Sequence, residues 1–295
     1  MTATVQTVER TSEPPRLRVG ERLRVLRAHR EILANLVRKE LKVKYAASVL
    51  GAVWSLLNPL VYLAVFSFVT RVLGTNVPDY PVYLLSGLLA WNMFSASVSG
   101  GSRSVLDNAN LVKKVAFARE ILPLSSIGVA LVDYVLQMGV LLLFMLVTGY
   151  GLQVPELALL PLAFGALLAF TTMLTMLLAA MNVRYRDVGH LLNIALLVWF
   201  WVTPIVYASG LVQQQLAGRP LLEFLYFLNP LTAVVEGMHR ALYGFVGPAD
   251  APVLFDVSLG WLAGVLAAVL VISAVLLRLT WGYFFSRSGD FAEEL

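Results

Sequence analysis

The sequence contains no cysteine and little charge. Of its 295 residues, 14% are charged and 59% are hydrophobic. The lack of cysteine excludes a disulfide framework and a thiolate metal site. The low charge excludes an ordinary soluble domain of this size, because such domains carry about 25% charged residues. The composition therefore predicts a polytopic, all-α membrane protein.

Nucleotide and metal motifs are also lacking. No Gly-Lys dipeptide occurs, so the chain has no phosphate-binding P-loop, and we expect any nucleotide to bind another chain. The three histidines, His29, His190 and His239, lack metal-ligand spacing, which favours satisfied polar roles. The net charge of +4 comes from basic residues in short segments between apolar runs. We predict anionic lipids as their partner, no nucleic acid, no metal and no catalytic residue.

The long apolar runs predict six transmembrane helices, since about 20 residues cross a bilayer core. Pro59 is expected to kink the first of them. The polar tail 1–15 is predicted to be disordered, and 282–295 to be a short tail. The N-terminus lacks a secretory signal, so we expect insertion to depend on the internal spans. The predicted spans are residues 50–72, 82–102, 121–147, 157–181, 191–207 and 257–277.

The basic residues predict the orientation of these spans. Nineteen Lys and Arg residues lie on one side of the membrane, in the segments before the odd-numbered spans and in the C-terminal tail. Three lie on the opposite side: Arg71, Arg219 and Arg240. Because basic residues concentrate in cytoplasmic loops, both termini are predicted to be cytoplasmic. The loops 74–81, 149–156 and 208–256 are then external.

Two cytoplasmic segments are basic and partly apolar. Residues 16–49 have leucines at helical spacing with arginines between them, which predicts one or two amphipathic helices. The simplest interpretation is that they lie flat in the membrane interface. Residues 103–120 form a charged island between two spans. A short helix displayed to a cytosolic partner and an ordinary hairpin on lipid headgroups are equally compatible with its composition.

Acidic residues in apolar surroundings raise two further alternatives. Asp133 lies about three turns inside its span, which suggests a transport role, but a Ser or Thr partner or protonation would satisfy it equally well. Glu236, His239 and Arg240 share one helical face. That spacing allows a catalytic cluster, although a salt-bridged helix surface is the commoner cause. The short apolar pieces around them, in 208–256, predict helices too brief to cross the membrane.

Aromatic residues cluster in the first and fifth spans. They suit the interfacial belts of membrane proteins, but those of the first span cover more than three turns and cannot share one headgroup level. A pathway lined by aromatic faces that contact sugar rings is the alternative. The candidate pathway residues are Trp54, Tyr62, Phe66, Trp199, Trp201 and Tyr207.

Five segments together resemble a known family, the membrane subunit of ABC-2-type polysaccharide exporters, which serve O-antigen, teichoic acid, capsule and galactan. The match covers roughly residues 20–285 in the right order. One departure is Ala118, where the family often has Pro. The segments are KVKYAASVLGAVWSLLNPL (42–60), NANLVKKVAFAREILPLSS (108–126), NVRYRDVGHLL (182–192), TPIVY (203–207) and NPLTAVVEGMHRALYG (229–244).

The resemblance implies a homodimer of six-helix subunits, with 50–281 as the transmembrane domain, and two copies of a separate ATPase that holds ATP and Mg²⁺. It makes 16–49 an interface helix, 103–120 a coupling segment and 208–256 an external gate. The residues carried over are Arg22, Arg24, Arg27 and Arg30 for the interface helix, Asn108, Asn110, Leu111, Lys113, Lys114, Phe117 and Arg119 for coupling, and Asn229, Pro230, Glu236 and Arg240 for the gate.

The predicted function is export of a lipid-linked polysaccharide across the cytoplasmic membrane of a bacterium, with no bond chemistry and no cofactor in this chain. A drug or lipid efflux permease of the same superfamily is one alternative, and it would favour a smaller lateral cavity. A membrane-embedded glycosyl or acyl transferase is another. Such an enzyme would need a clustered carboxylate or histidine site, which Asp133 alone does not provide.

Overall fold

The computed structural model describes residues 19–45, 54–73, 77–115, 117–151, 154–247 and 252–295, and these are helical with no strand among them. This confirms the all-α prediction for the described part of the chain. The helices are α1 Val19–Ala28, α2 Arg30–Tyr45, α3 Trp54–Leu73, α4 Tyr80–Asp107, α5 Ala109–Lys114, α6 Ile121–Thr148, α7 Val154–Leu157, α8 Leu159–Arg184, α9 Val188–Val202, α10 Ser209–Leu216, α11 Pro220–Phe227, α12 Pro230–Leu242, α13 Leu259–Ser288 and α14 Phe291–Glu294.

Four helical segments are long and apolar enough to cross a membrane: α4, α6, α7 with α8, and α13. The bent pair formed by α11 and α12, with 79° between its halves, would make a fifth. Shorter apolar helical stretches occur at Pro59–Val69 and Val188–Val202. The chain is therefore a multi-pass membrane protein with four or five candidate spans among its described residues. Six spans remain a prediction.

Helix α4 lies at the centre of the bundle. In its most apolar window 72% of the residues are buried, against 17% in α13. It packs against α6, α8 and α12, while α13 packs along α8. Apolar side chains with no core to enter must face lipid or another chain, because the bilayer leaves no other apolar environment. The outer position of α13 explains why so much of its apolar surface is exposed.

Local signals in the sequence begin and end these helices. Asn229 caps α12: its side chain accepts a hydrogen bond from the Leu231 amide at 3.1 Å, and Pro230 follows at the first helical position. Helix α6 ends at Gly149, whose φ of 69° is favourable for glycine. Ser258 caps α13 by accepting from the Trp261 amide.

The C-terminal part differs from the expected short tail. Helix α13 continues beyond Leu277, where we predicted the span to end, as far as Ser288. Phe284 and Phe291 are fully buried and contact each other edge to face at 5.3 Å. Their burial explains the longer helix, because α13 and α14 pack onto a hydrophobic cluster that is separate from the main core of the bundle. We call it the α5 cluster. It includes Leu36, Val105, Val112, Ile121, Met176, Val183, Phe284 and Phe291.

Candidate functional site

An aromatic pocket of about 370 Å³ lies between α3, α4 and α9. It brings together three of the predicted pathway residues, Tyr62, Phe66 and Trp201, and adds Trp91 and Phe200, which the sequence analysis did not single out. Tyr62 and Phe66 stack with ring centroids 6.0 Å apart, because they lie four residues apart on one helix. The pocket therefore presents several aromatic faces at one place in the bundle.

The other predicted pathway residues lie elsewhere. Trp199 points into the core, where it contacts Phe94 and donates from Nε1 to Asn229 Oδ1 at 2.8 Å. The Tyr207 hydroxyl donates to the Trp201 carbonyl oxygen at 3.1 Å instead of lining the pocket. Residues 199 and 201 face in different directions because a helix turns by 100° per residue. The side chain of Trp54 lies outside the described residues.

Of the predicted gate residues, Glu236 and Arg240 are buried, whereas Asn229 and Pro230 are half-buried. Glu236 and His239 are 0% exposed and Arg240 is 6% exposed, because α12 packs against α4, α8 and α13. Glu236 Oε1 accepts from the Phe255 amide at 2.9 Å, and an Arg240 guanidinium N–H donates to the Val257 carbonyl oxygen at 2.5 Å. The interpretation as a salt-bridged helix surface was therefore wrong, since both charges bind the main chain that leads into α13.

His239 has no metal-like surroundings within the described residues, where no group of three His, Asp or Glu side chains is close enough to hold an ion. Its ring stacks on Tyr83 at 4.2 Å. Gly87 permits this contact, because a Cβ there would lie 2.5 Å from His239 Nε2. His29 differs, since its Nδ1 lies 2.8 Å from the Val25 carbonyl oxygen, and His190 is exposed.

Asp133 has partners that the sequence did not suggest. Lys44 Nζ lies 2.6 Å from Asp133 Oδ2, and the Tyr45 hydroxyl donates to Oδ1 at 2.5 Å. Both partners come from the end of the amphipathic helix α2. A neighbouring helix therefore satisfies Asp133, as one of the two alternatives allowed, but through Lys and Tyr rather than Ser or Thr. Burial lowers the pKa of Lys44, but its hydrogen bond and attraction to Asp133 outweigh that effect and raise it overall.

The predicted coupling residues occupy α5 and the segment after it. Asn110, Lys113 and Lys114 are exposed, whereas Leu111 and Phe117 pack partly against the α5 cluster of their own chain. Asn108 joins α4 to α5, and its side-chain amide donates to the Ser104 carbonyl oxygen at 2.9 Å. The exposed side chains of α5 itself are therefore polar or basic, and the apolar Val115 directly after it is also exposed.

Arg119 closes the coupling segment and is half-buried. Partial burial lowers its pKa, because desolvation disfavours the charged guanidinium. Of the predicted interface residues, Arg24, Arg27 and Arg30 lie on or at the start of the two amphipathic helices, and all three are exposed. Arg22 lies on α1, but its side chain is outside the described part.

Comparisons with known proteins agree with one another. The family model described as ABC-2 type transporter matches residues 32–243. A protein of Myxococcus xanthus named O-antigen export system permease protein RfbA is 33% identical over 276 residues, which cover 92% of this chain and 98% of that relative. Two proteins of Klebsiella pneumoniae with the same name are each 27% identical over 206 residues, covering 70% of this chain and 77% of each relative.

Proposed function

The chain belongs to the ABC-2 type transporter family, and we propose that it is the permease subunit of an exporter that moves a lipid-linked polysaccharide of the O-antigen kind outward. The likeness to export permeases over 92% of the chain is the observation that carries this proposal. The chain is a transport subunit rather than an enzyme, and ATP hydrolysis is placed on a separate subunit. The proposed assembly is a homodimer with two ATPase copies that hold ATP and Mg²⁺.

The aromatic pocket supports a sugar as cargo. Sugar rings have apolar C–H faces that stack on aromatic rings, and Tyr62, Phe66, Trp91 and Trp201 offer such faces in one place. Several weak contacts suit transport better than one deep site, because a polymer must leave each position it occupies. An aromatic pair contributes only about 1 kcal/mol.

Depletion of the chain in growing cells tests the export function. Cells are fed an isotope-labelled sugar, and the glycan on the inner and outer sides of the cytoplasmic membrane is measured with time. We expect labelled lipid-linked glycan to accumulate inside, and the surface pool to fall, when the chain is depleted. A control strain carries the chain with an ATPase partner that cannot hydrolyse ATP, and it should behave in the same way. Unchanged surface glycan after depletion would refute the proposal.

The coupling role of α5 is proposed from its exposed basic residues. Lys113→Glu with Lys114→Glu reverses the charge of its last turn, and we expect this pair to abolish most export and weaken co-purification with the ATPase. Lys113→Arg with Lys114→Arg keeps the charge and is the matched control. Membrane insertion should survive in both, because these side chains are exposed. Normal co-purification of the reversed pair would exclude α5 as the docking element.

The proposed topology has six spans, cytoplasmic termini and short external helices in 208–256, in a bacterial cytoplasmic membrane. The native chain has no cysteine, so single cysteines report position without background. Gln214→Cys should react with an impermeant thiol reagent on cells whose outer barrier is opened, and Asn110→Cys only after the cytoplasmic membrane is permeabilised. Both positions are exposed. Reaction of Asn110→Cys from outside would overturn this orientation.

A further inference from the structure

A second cavity, of about 420 Å³, lies between the end of α2 and the spans α4 and α6. We call it the polar cavity, because side chains with amide, hydroxyl, carboxylate and ammonium groups form much of its wall. Its volume lies in the range of small-molecule sites in proteins. The polar residues that line it are Lys44, Asn92, Ser95, Ser99, Asp133 and Gln137.

The polar groups follow helical spacing on two packed spans. Asn92, Ser95 and Ser99 lie three and four residues apart and share one face of α4, and Asp133 and Gln137 lie four apart on α6. Polar side chains within membrane spans are unfavourable unless they bind one another, backbone carbonyls or a ligand. The Ser95 hydroxyl donates to the Asn92 carbonyl oxygen at 3.3 Å, and its own oxygen can still accept. Two facing rows of them around open space therefore favour a ligand that supplies many hydrogen bonds.

The charges of the residues that line the polar cavity limit the class of ligand that it can bind. Lys44 neutralises Asp133 at 2.6 Å, and among the described residues no other one that lines the polar cavity carries a full charge. A wall with balanced charge favours neither a phosphate nor a cation. It suits a neutral polyhydroxyl compound, whose hydroxyls donate to carboxylate and amide oxygens and accept from hydroxyl and amide N–H groups.

The polar cavity is adjacent to the aromatic pocket. Ser95 lines both of them, so the polar face of α4 leads from one to the other. At the opposite end, the side chain of Lys44 is 45% exposed, which opens the polar cavity at the end of α2. A ligand that enters beside Lys44 would thus meet hydrogen-bonding groups first and aromatic faces next.

We propose that the polar cavity is a sugar-binding subsite, in which hydroxyls of the exported glycan bind Asn92, Ser95, Ser99 and Gln137 before the sugar reaches the aromatic pocket. This inference rests on the proposed export function and adds a specific site to it. In this arrangement the Lys44–Asp133 pair forms the neutral end wall of the subsite. It also joins the subsite to α2, the amphipathic helix that is predicted to lie along the membrane interface.

Photo-crosslinking in living cells tests the occupant of the polar cavity. A photoreactive p-benzoylphenylalanine replaces Ser99 in the full chain, which is produced with its ATPase partner in cells that make the glycan. After irradiation, the purified chain is stained with periodate for vicinal diols and analysed by mass for additions of sugar repeats. We expect a ladder of glycan adducts at position 99. The same reagent at the exposed, outward-facing Val140 of α6 is the matched control, and it should capture phospholipid only.

A conservative variant tests the hydrogen bonds themselves. Ser95→Ala with Ser99→Ala removes two hydroxyls and almost no volume, so folding should be retained. We expect export at limiting glycan supply to fall about fivefold for each lost hydrogen bond, with unchanged basal ATP hydrolysis and unchanged yield of folded protein. Ser86→Ala removes a buried hydroxyl from the same helix outside the polar cavity, and it should export normally.

The two experiments separate this inference from the export function. If depletion of the chain stops export while position 99 captures only phospholipid, the polar cavity holds lipid and the subsite is refuted, although the export function stands. Export at the normal rate by the Ser95→Ala, Ser99→Ala variant would also refute the subsite. If depletion of the chain leaves export unchanged, both proposals fail.

Discussion

Two carboxylates inside the helical bundle, Asp133 and Glu236, are held in different ways. Asp133 binds side chains of α2, Lys44 and Tyr45, and faces the polar cavity. Glu236 is fully buried and binds the main chain at Phe255. Side chains can turn away, whereas main-chain groups move only with their segment. The difference indicates that Asp133 lies at a joint that can rearrange, and that Glu236 belongs to a fixed part of the fold.

Replacement of Glu236 is expected to give the largest effect. Glu236→Ala removes one of the two acceptors of the Phe255 amide, since Ser209 Oγ also accepts from it at 3.1 Å, and it leaves the buried charge of Arg240 less compensated. We expect it to destabilise the folded chain by about 3 kcal/mol. Asp133→Ala should destabilise it less, because its partner Lys44 can reach water. Unfolding of the purified protein in detergent, followed by heat or denaturant, measures both. A larger effect at Asp133 would reverse the comparison.

Substitution of Gly210 and of Gly128 tests the same comparison of the fixed and the movable part through contacts near the backbone. A Cβ at Gly210 would lie 2.2 Å from the Pro252 carbonyl oxygen, so Gly210→Ala forces main chain near Glu236 to move, and we expect a loss of about 2 kcal/mol. A Cβ at Gly128 would meet only the Val37 side chain, at 2.8 Å.

Because α2 can shift, Gly128→Ala should cost less than about 1 kcal/mol. Gly260→Ala, with open space around it, is the control and should be neutral. Equal losses for Gly210→Ala and Gly128→Ala would show that α2 is as firmly held as the segment before α13.

The sequence predicts the apolar helices well and their partners poorly. The runs at 82–102, 121–147, 157–181 and 257–277 became α4, α6, α8 and α13, because hydrophobicity over about 20 residues is a local property. Contacts between distant segments leave no such local pattern. Lys44 and Asp133 are 89 residues apart, and nothing near either residue predicts that they meet.

At the candidate functional site, too, the sequence predicts residue types but not the contacts between distant segments. The sequence identified Tyr62, Phe66 and Trp201 by composition but could not separate Trp201 from Trp199, since both lie in one apolar helix. Trp199 has a specific partner in Asn229, which lies 30 residues away. The burial of Glu236 was missed for a related reason. The spacing of the polar residues on α12 is typical of an exposed helix face, and only the helices that pack around α12 bury that face.

The ion pair at the end of α2 should give a smaller effect than Gly210→Ala at the fixed end. In a double-mutant cycle, Lys44→Met and Asp133→Asn each remove one charge, and together they remove the pair. We expect a coupling free energy of about 1 kcal/mol, because the side chain of Lys44 is 45% exposed and solvent screens the attraction. A coupling of zero would show that the attraction between Lys44 and Asp133 does not help to hold α2 against α6.

The smallest expected effect is a change with pH at Glu40, also on α2. Burial raises the pKa of Glu40 above 4.5, although the hydrogen bond with Ser125 on α6, at 3.0 Å between Oγ and Oε1, and the charge of Lys39 oppose this. A carboxyl whose pKa is higher in the folded state is favoured there in its neutral form. Its contribution to stability is therefore full below the unfolded pKa and falls as pH rises through the folded pKa.

Glu40→Gln keeps an oxygen that accepts from Ser125 and cannot ionise, so its stability relative to the native chain should increase as pH rises from 4.5 towards neutrality. Glu31→Gln, at an exposed position of the same helix, is the matched control and should show no such trend. Unfolding measured at several pH values gives the difference directly. The opposite result would be that the native chain gains stability relative to Glu40→Gln as pH rises. The charged form of Glu40 would then be the one that holds α2 against α6. The attachment of α2 would in that case be stronger than the comparison with Glu236 implies.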